Sequence, residues 1–204
     1  MVKIPTSPET DTLSIELPKT IALYVTHKQF TALAAVNRDL QLERTAQGKL
    51  IVNPPTDWET GKRNRSLTGQ LDRWYEENPN LGEAFDSSTG FTLPNGAIRS
   101  PDASWVSRER WETLTPEDKA TFPKVCPDFV VELRSGSDRL KPLQDKMKEY
   151  LDNGARLGWL INPQPRQAEI YRQGQKREVL ANPTELFGEE VLPGFVLNLD
   201  RLWH

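Results

Sequence analysis

Two apolar runs separated by a helical stretch constrain this chain more than any other feature. Phe129-Val130-Val131-Glu132-Leu133 is short, nearly all Val, Leu and Phe, and of the kind that strands buried on both faces show. Leu157-Gly158-Trp159-Leu160-Ile161-Asn162 repeats the type and stops at Pro163. Between them a helix fits up to about Asn153, capped at its start by Ser135-Gly136-Ser137-Asp138 and closed by Gly154 at C′. Parallel neighbours need a crossover of about a dozen residues or more, and this segment supplies one. The pattern predicts a βαβ unit inside a mixed α/β domain.

The flanking segments fill in a single domain over 26–204, preceded by an extended arm over 1–25. Thr26 reads as the N-cap of a helix from His27 to about Asn37. A hairpin follows, 40–44 against 49–52, ended by Asn53-Pro54-Pro55. Thr56 or Asp57 caps a longer helix to about Asn78, with Leu67, Leu71, Trp74 and Tyr75 as its apolar stripe. Short strands are expected over 83–106, two helical turns over 107–124, and small strands near 169–172, 177–180 and 195–199.

Composition narrows the function. Apolar residues make up 36% of the 204 and charged ones 27%, enough for a lean core. A net charge of −3 excludes a histone-like or coat-like polyanion binder but not a local basic patch. Cys126 stands alone, so no internal disulfide forms, which fits a reducing compartment. With no signal-like apolar stretch and no membrane span, a cytoplasmic protein with no membrane partner is expected.

Glu132 is the residue that asks for an explanation. It lies inside an apolar run, where an unpaired carboxylate costs several kcal/mol. Strand alternation puts Asp128, Val130, Glu132 and Arg134 on one face, so a structural Glu132–Arg134 pair is one reading. Thirty residues upstream, Asp102 follows a proline in the strand-like Ser100-Pro101-Asp102-Ala103-Ser104-Trp105-Val106. Two carboxylates converging from adjacent strands bind Mg²⁺ or Mn²⁺, hard cations that prefer oxygen and keep several waters. Asp128 is a poorer second carboxylate, since four residues of strand set it about 13 Å from Glu132.

With these residues in view, the stretch from about Thr26 to Pro163 resembles a large bacterial family of restriction-type endonucleases within the PD-(D/E)xK superfamily. The matching segments are LQLERTAQGKLIV, SPDASWV, CPDFVVELRSGSD and LQDKMKEYLDNGARLGWLINP. The resemblance implies a restriction-endonuclease-like core: a mixed central β-sheet flanked by helices, with an N-terminal helix and β-hairpin. It implies Asp102 and Glu132 as ligands of Mg²⁺ (or Mn²⁺), the Leu133 carbonyl as a further ligand, and Lys146 as the catalytic lysine displaced onto a helix. Arg134 stands where lysine is usual. Arginine does not deprotonate in proteins, so it cannot act as a base there, though it can bind phosphate or orient Glu132. Glu43 matches a recurrent glutamate of the family hairpin and is offered as a further metal carboxylate. Alternation instead sets it opposite Leu40 and Leu42 and turns it to solvent, the orientation expected here.

DNA is the implied partner, cut by a homodimer. Residues 134–148 carry five basic side chains against two acidic ones, and Arg63 and Arg65 follow Lys62 in a second cluster. Arg63, Arg65, Arg139, Lys141 and Lys148 are therefore the candidate phosphate contacts, against the plainer reading of solvated helix faces. His27 and His204 are too far apart in sequence to suggest a metal site, and the six tryptophans are not spaced as a stacking platform. Two rivals stand beside the nuclease: an inactive module of the same fold that binds nucleic acid or acts in assembly, and a structural domain with a Glu132–Arg134 salt bridge.

Overall fold

The structure, a computed structural model, describes residues 22–204, so the arm expected over 1–25 lies outside the described residues up to position 21. At the start of the described chain Tyr24 bridges antiparallel to Lys49. Helix α1 (His27–Val36) opens with a capping box in which Thr26 and Gln29 satisfy each other's backbone N–H groups. Strands β1 (Gln41–Arg44) and β2 (Leu50–Asn53) form the hairpin, and α2 (Trp58–Glu77) follows with Asp57 as its N-cap.

Strands β3 (Gly82–Asp86), β4 (Phe91–Thr92), β5 (Ile98–Arg99) and β6 (Ala103–Ser107) come next, then α3 (Arg108–Thr113) and α4 (Pro116–Lys119). The predicted crossover is β7 (Phe129–Leu133), α5 (Leu140–Asp152) and β8 (Leu157–Asn162), with β7 and β8 parallel. The chain ends with β9 (Gln167–Arg172), β10 (Glu178–Ala181), β11 (Glu185–Phe187), β12 (Val196–Asn198) and α6 (Asp200–Trp203). The sequence reading lacked β11. Its partner β12 holds it in a separate two-stranded sheet.

The central sheet runs β10-β9-β8-β7-β6-β3 and is antiparallel except at β7–β8. Period-two alternation then gives its two faces different partners. Phe129, Val131, Leu133 and Trp159 pack under Leu67, Leu71 and Trp74 of α2 and the C-terminal strands. Val130 and Leu160 pack under Met147 and Tyr150 of α5. Each such side chain, fully buried, contributes roughly 1.5–3 kcal/mol. Gly158 lets α5 sit close to β8, because a Cβ there would stand 2.5 Å from the Met147 methyl. A second sheet, β2-β1-β5-β4, carries the hairpin.

One expected cap is absent. Asp138 does not cap α5; its carboxylate accepts from the N–H and Oγ of Ser135, and the loop closes on itself. The helix begins two residues later, at Leu140, with no side chain capping it.

Candidate active site

Register brings the carboxylates together. In the antiparallel β6–β7 ladder Ala103 faces Val131, so one step further Asp102 stands opposite Glu132. Side chains directly opposite in such a pair have Cβ atoms about 4.5–5.5 Å apart. The backbone seals the junction: the Asp102 N–H donates to the Val131 carbonyl, and the Leu133 N–H donates to Asp102 Oδ2 at 2.7 Å. In the second sheet Arg44 pairs with Ile98, which brings Glu43 opposite Arg99. Helix α5 adds the third wall: Lys146, Glu149 and Tyr150, three and four residues apart, share one face, and Tyr150 packs with Met147 onto the sheet.

The side chains converge at the floor of a cleft of about 1210 Å³. The Lys146 ammonium lies 2.7 Å from Glu43 Oε1 and 2.8 Å from Glu132 Oε1, and also donates to the Ser100 carbonyl. Arg99 bridges Glu43 Oε2 at 3.1 Å and Glu149 Oε2 at 2.6 Å. The Ser100 N–H donates to Glu43, and the Tyr150 hydroxyl donates to Glu132. Asn64 of α2 reaches Asp102 Oδ1 from the opposite wall, with its amide nitrogen at 3.4 Å.

Charge is unevenly shared within this group. Burial alone would raise Glu43, but Lys146 and Arg99 outweigh it and hold the carboxyl below the usual range. Burial wins at Glu132, which is pushed up to about 8 despite the lysine, and Asp102 and Glu43 add repulsion. Burial also raises Asp102, against the pull of the Leu133 N–H and Lys146. Lys146 moves upward, its own desolvation overcome by the two glutamates, so it stays an ammonium.

The structure therefore gathers Asp102, Glu132, Leu133, Lys146 and Glu43 in one cleft. For Glu43 this corrects the orientation expected from alternation: it is 3% exposed, whereas Leu40 on the other face of the hairpin is 43% exposed. The hairpin is amphipathic in reverse, with its acid turned inward because two cations wait there. Arg134 is not part of the group. Its guanidinium donates to the Asp138 carbonyl and to Asn162, and no Glu132–Arg134 pair forms. Asp128, 1% exposed, serves the other end of β7 through Arg110, Arg156 and the Ser107 N–H.

Of the candidate phosphate contacts only Arg139 lines the cleft. Lys141 pairs with Asp145, Lys148 with Asp152 and Arg63 with Glu59, each within its own helix, and Arg65 is exposed. Cys126 is buried, and burial pushes its thiol up to about 12, an inert group. The sequence reading missed Arg99, Glu149, Tyr150 and Asn64. Arg99 had a signal in its place directly before Ser-Pro-Asp, and Glu149 and Tyr150 had one in their spacing of three and four from Lys146.

A mixed sheet flanked by helices is the architecture of the restriction-endonuclease-like class, and here it sets paired carboxylates where β6 meets β7 and a lysine of α5 beside them. Its fold is similar to the crystal structure of a putative nuclease belonging to DUF820 from Anabaena variabilis, with a TM-score of 0.66 and 19% identity over 79% of this chain and 89% of that one. Residues 27–200 match the family described as Uma2, putative restriction endonuclease, and the chain belongs to that family. No curated protein matches it.

Proposed function

We propose that this protein is a divalent-cation-dependent endodeoxyribonuclease that hydrolyses DNA phosphodiester bonds, with Mg²⁺ (or Mn²⁺) held by Asp102 and Glu132. The observation that carries the reading is the charge balance of the buried group. Four carboxylates face two cations: Glu43 is matched by both, Glu149 by Arg99, and the surplus falls on the facing pair Asp102 and Glu132. A divalent cation offsets that surplus.

The donor set suits a hard ion. Mg²⁺ is usually held by one or two carboxylates and keeps several waters. Among the described residues no three His, Cys, Asp or Glu side chains gather to hold a metal, so the remaining ligands would be the Leu133 carbonyl and water. When bound, such an ion lowers the pKa of a coordinated water and offsets charge building on the phosphodiester. The chain's own residues do the rest. Lys146, anchored by Glu43, presents a fixed ammonium beside the scissile phosphate, and Arg99 keeps Glu43 in place to hold it.

Eight acidic side chains and three basic ones line the cleft. A phosphodiester therefore enters only after cations have reduced that field, which ties DNA binding itself to the metal. One chain supplies one such set, and severing both strands of a duplex takes two, so we assign the active form to a homodimer. The cytoplasm, where a lone thiol stays reduced, is its compartment.

The test is plasmid nicking with Mg²⁺ or Mn²⁺ by the purified protein and by Asp102→Ala and Glu132→Ala. Metal-dependent nicking by the wild type alone is expected. Equal nicking by all three contradicts the assignment, and metal-independent DNA binding without cleavage favours the inactive module.

A further inference from the structure

Helix α2 carries two stripes. Leu67, Leu71 and Trp74 face the core, while Asp57, Thr60 and Asn64, spaced by three and four residues, line the cleft. Asp57 and Thr60 satisfy each other at the helix start, the carboxylate accepting from the Thr60 N–H and hydroxyl. Asn64 is different. Its amide nitrogen donates to Asp102 Oδ1, at a long 3.4 Å, and its carbonyl oxygen is buried with no hydrogen bond at all.

An amide offers two donors and an acceptor with two lone pairs. Buried polar atoms are nearly always partnered, so an orphan calls for a partner missing from the protein itself. Here the orphan sits on a cleft-lining side chain already in contact with a proposed ligand of the cation. The protein's own donors at the cleft floor are committed elsewhere: Lys146 to Glu43, Glu132 and Ser100, Tyr150 to Glu132, Arg99 to Glu43 and Glu149, and the Leu133 N–H to Asp102. A donor that arrives with the ligand would complete the amide. Water in the hydration shell of a hard cation is such a donor, and Mg²⁺ and Mn²⁺ bring several.

We propose that Asn64 is a positioning residue for the divalent cation: its N–H orients Asp102, and its carbonyl oxygen accepts a hydrogen bond from a water of the ion's hydration shell. This rests on the metal reading above and deepens it. Partners of this outer kind are commonly worth about 10–100-fold in metal affinity.

Mn²⁺ binding, followed as loss of the free-ion EPR signal, tests it on the intact protein without substrate. Asn64→Leu keeps the bulk and removes both polar atoms; it should bind Mn²⁺ about tenfold more weakly or worse. Asn64→Asp keeps an acceptor toward the ion's water while losing the donor, and should bind at least as tightly as the wild type. A merely structural asparagine would leave Mn²⁺ affinity unchanged in Asn64→Leu. Asn64→Leu with wild-type affinity overturns the proposal, as does Asn64→Asp no tighter than Asn64→Leu. Should Asn64→Leu not fold, Asn64→Ala takes its place with the same expectation. Asp102→Asn separates the two levels. If the wild type binds Mn²⁺ no better than this variant, the metal reading fails and this proposal with it; if it binds better but Asn64→Leu matches it, this proposal alone fails.

Discussion

The two ends of β7 hold two buried carboxylates on the same face, and their surroundings differ in kind. Asp128 meets two arginines and a backbone N–H, so its charge is fully answered within the protein. Glu132 shares one lysine with Glu43, stands opposite Asp102, and is pushed up to about 8 by burial. Four residues of strand thus separate a carboxylate that holds the fold from one whose environment is incomplete. The difference shows that burial alone does not mark a site. On the proposed reading, surplus charge of one sign kept in place by rigid strands does.

Substitution at the two ends should break this comparison most sharply. Glu132→Ala and Asp102→Ala should abolish metal-dependent nicking while the protein stays folded, whereas Asp128→Asn should leave nicking within a few-fold of wild type. Asp128→Asn should instead lower stability by about 1–3 kcal/mol, a fall of roughly 3–10 °C in Tm for a chain of this size. Thermal unfolding and plasmid assays on the same preparations check both halves. Loss of nicking without loss of Tm in Asp128→Asn would reverse the roles.

Lys146→Met comes next. Removing the ammonium that Glu43 and Glu132 share should cut cleavage by about 10²–10³-fold, the range for losing one fixed donor aimed at developing charge. Arg134→Ala should change it far less, because Arg134 spends its guanidinium on Asn162 and the Asp138 carbonyl. Single-turnover rates at saturating Mn²⁺ decide between them. Equal losses at both positions would return Arg134 to the site.

A smaller effect concerns pH without metal. Glu132 binds its proton more tightly in the folded protein than in the unfolded chain, where its value is near 4.5. The stability this lends is complete below about 4.5 and is lost as pH rises through about 8. Asp102, also raised, acts in the same direction. The Tm of the metal-free wild type should therefore fall between about pH 5 and 8, and Glu132→Gln should lose less over the same range. Saturating Mg²⁺ should remove most of the wild-type fall. A flat profile without metal would mean that the Glu132 end is as well answered as the Asp128 end.

Much of this architecture is legible in the sequence because local rules and tertiary packing agree there. The caps at Thr26 and Asp57, the two apolar strands of the crossover and the stripe of Leu67, Leu71 and Trp74 all follow from period and end signals. The Pro-Asp and the glutamate in its apolar run pointed to Asp102 and Glu132 for a physical reason: a carboxylate placed among Val and Leu needs a partner.

Other features were hidden because they depend on non-local pairing. Alternation in the hairpin turned Glu43 outward, but the β1–β5 register sets it against Arg99, and two cations outweigh the preference of Leu40 and Leu42 for burial. The basic run over 134–148 looked like a phosphate track. Its lysines at 141 and 148 each meet an aspartate one helical turn on, a pairing that spacing alone would have disclosed. Asn64 gave no signal, since an asparagine on a polar helix face is ordinary until its neighbour is Asp102.

The most direct test of the central claim is anomalous diffraction from crystals soaked in Mn²⁺. If the surplus charge at the end of β7 is a cation site, a peak will lie between the carboxylates of Asp102 and Glu132, and none will lie at Asp128. A soaked crystal with no peak at Asp102 and Glu132 would contradict it.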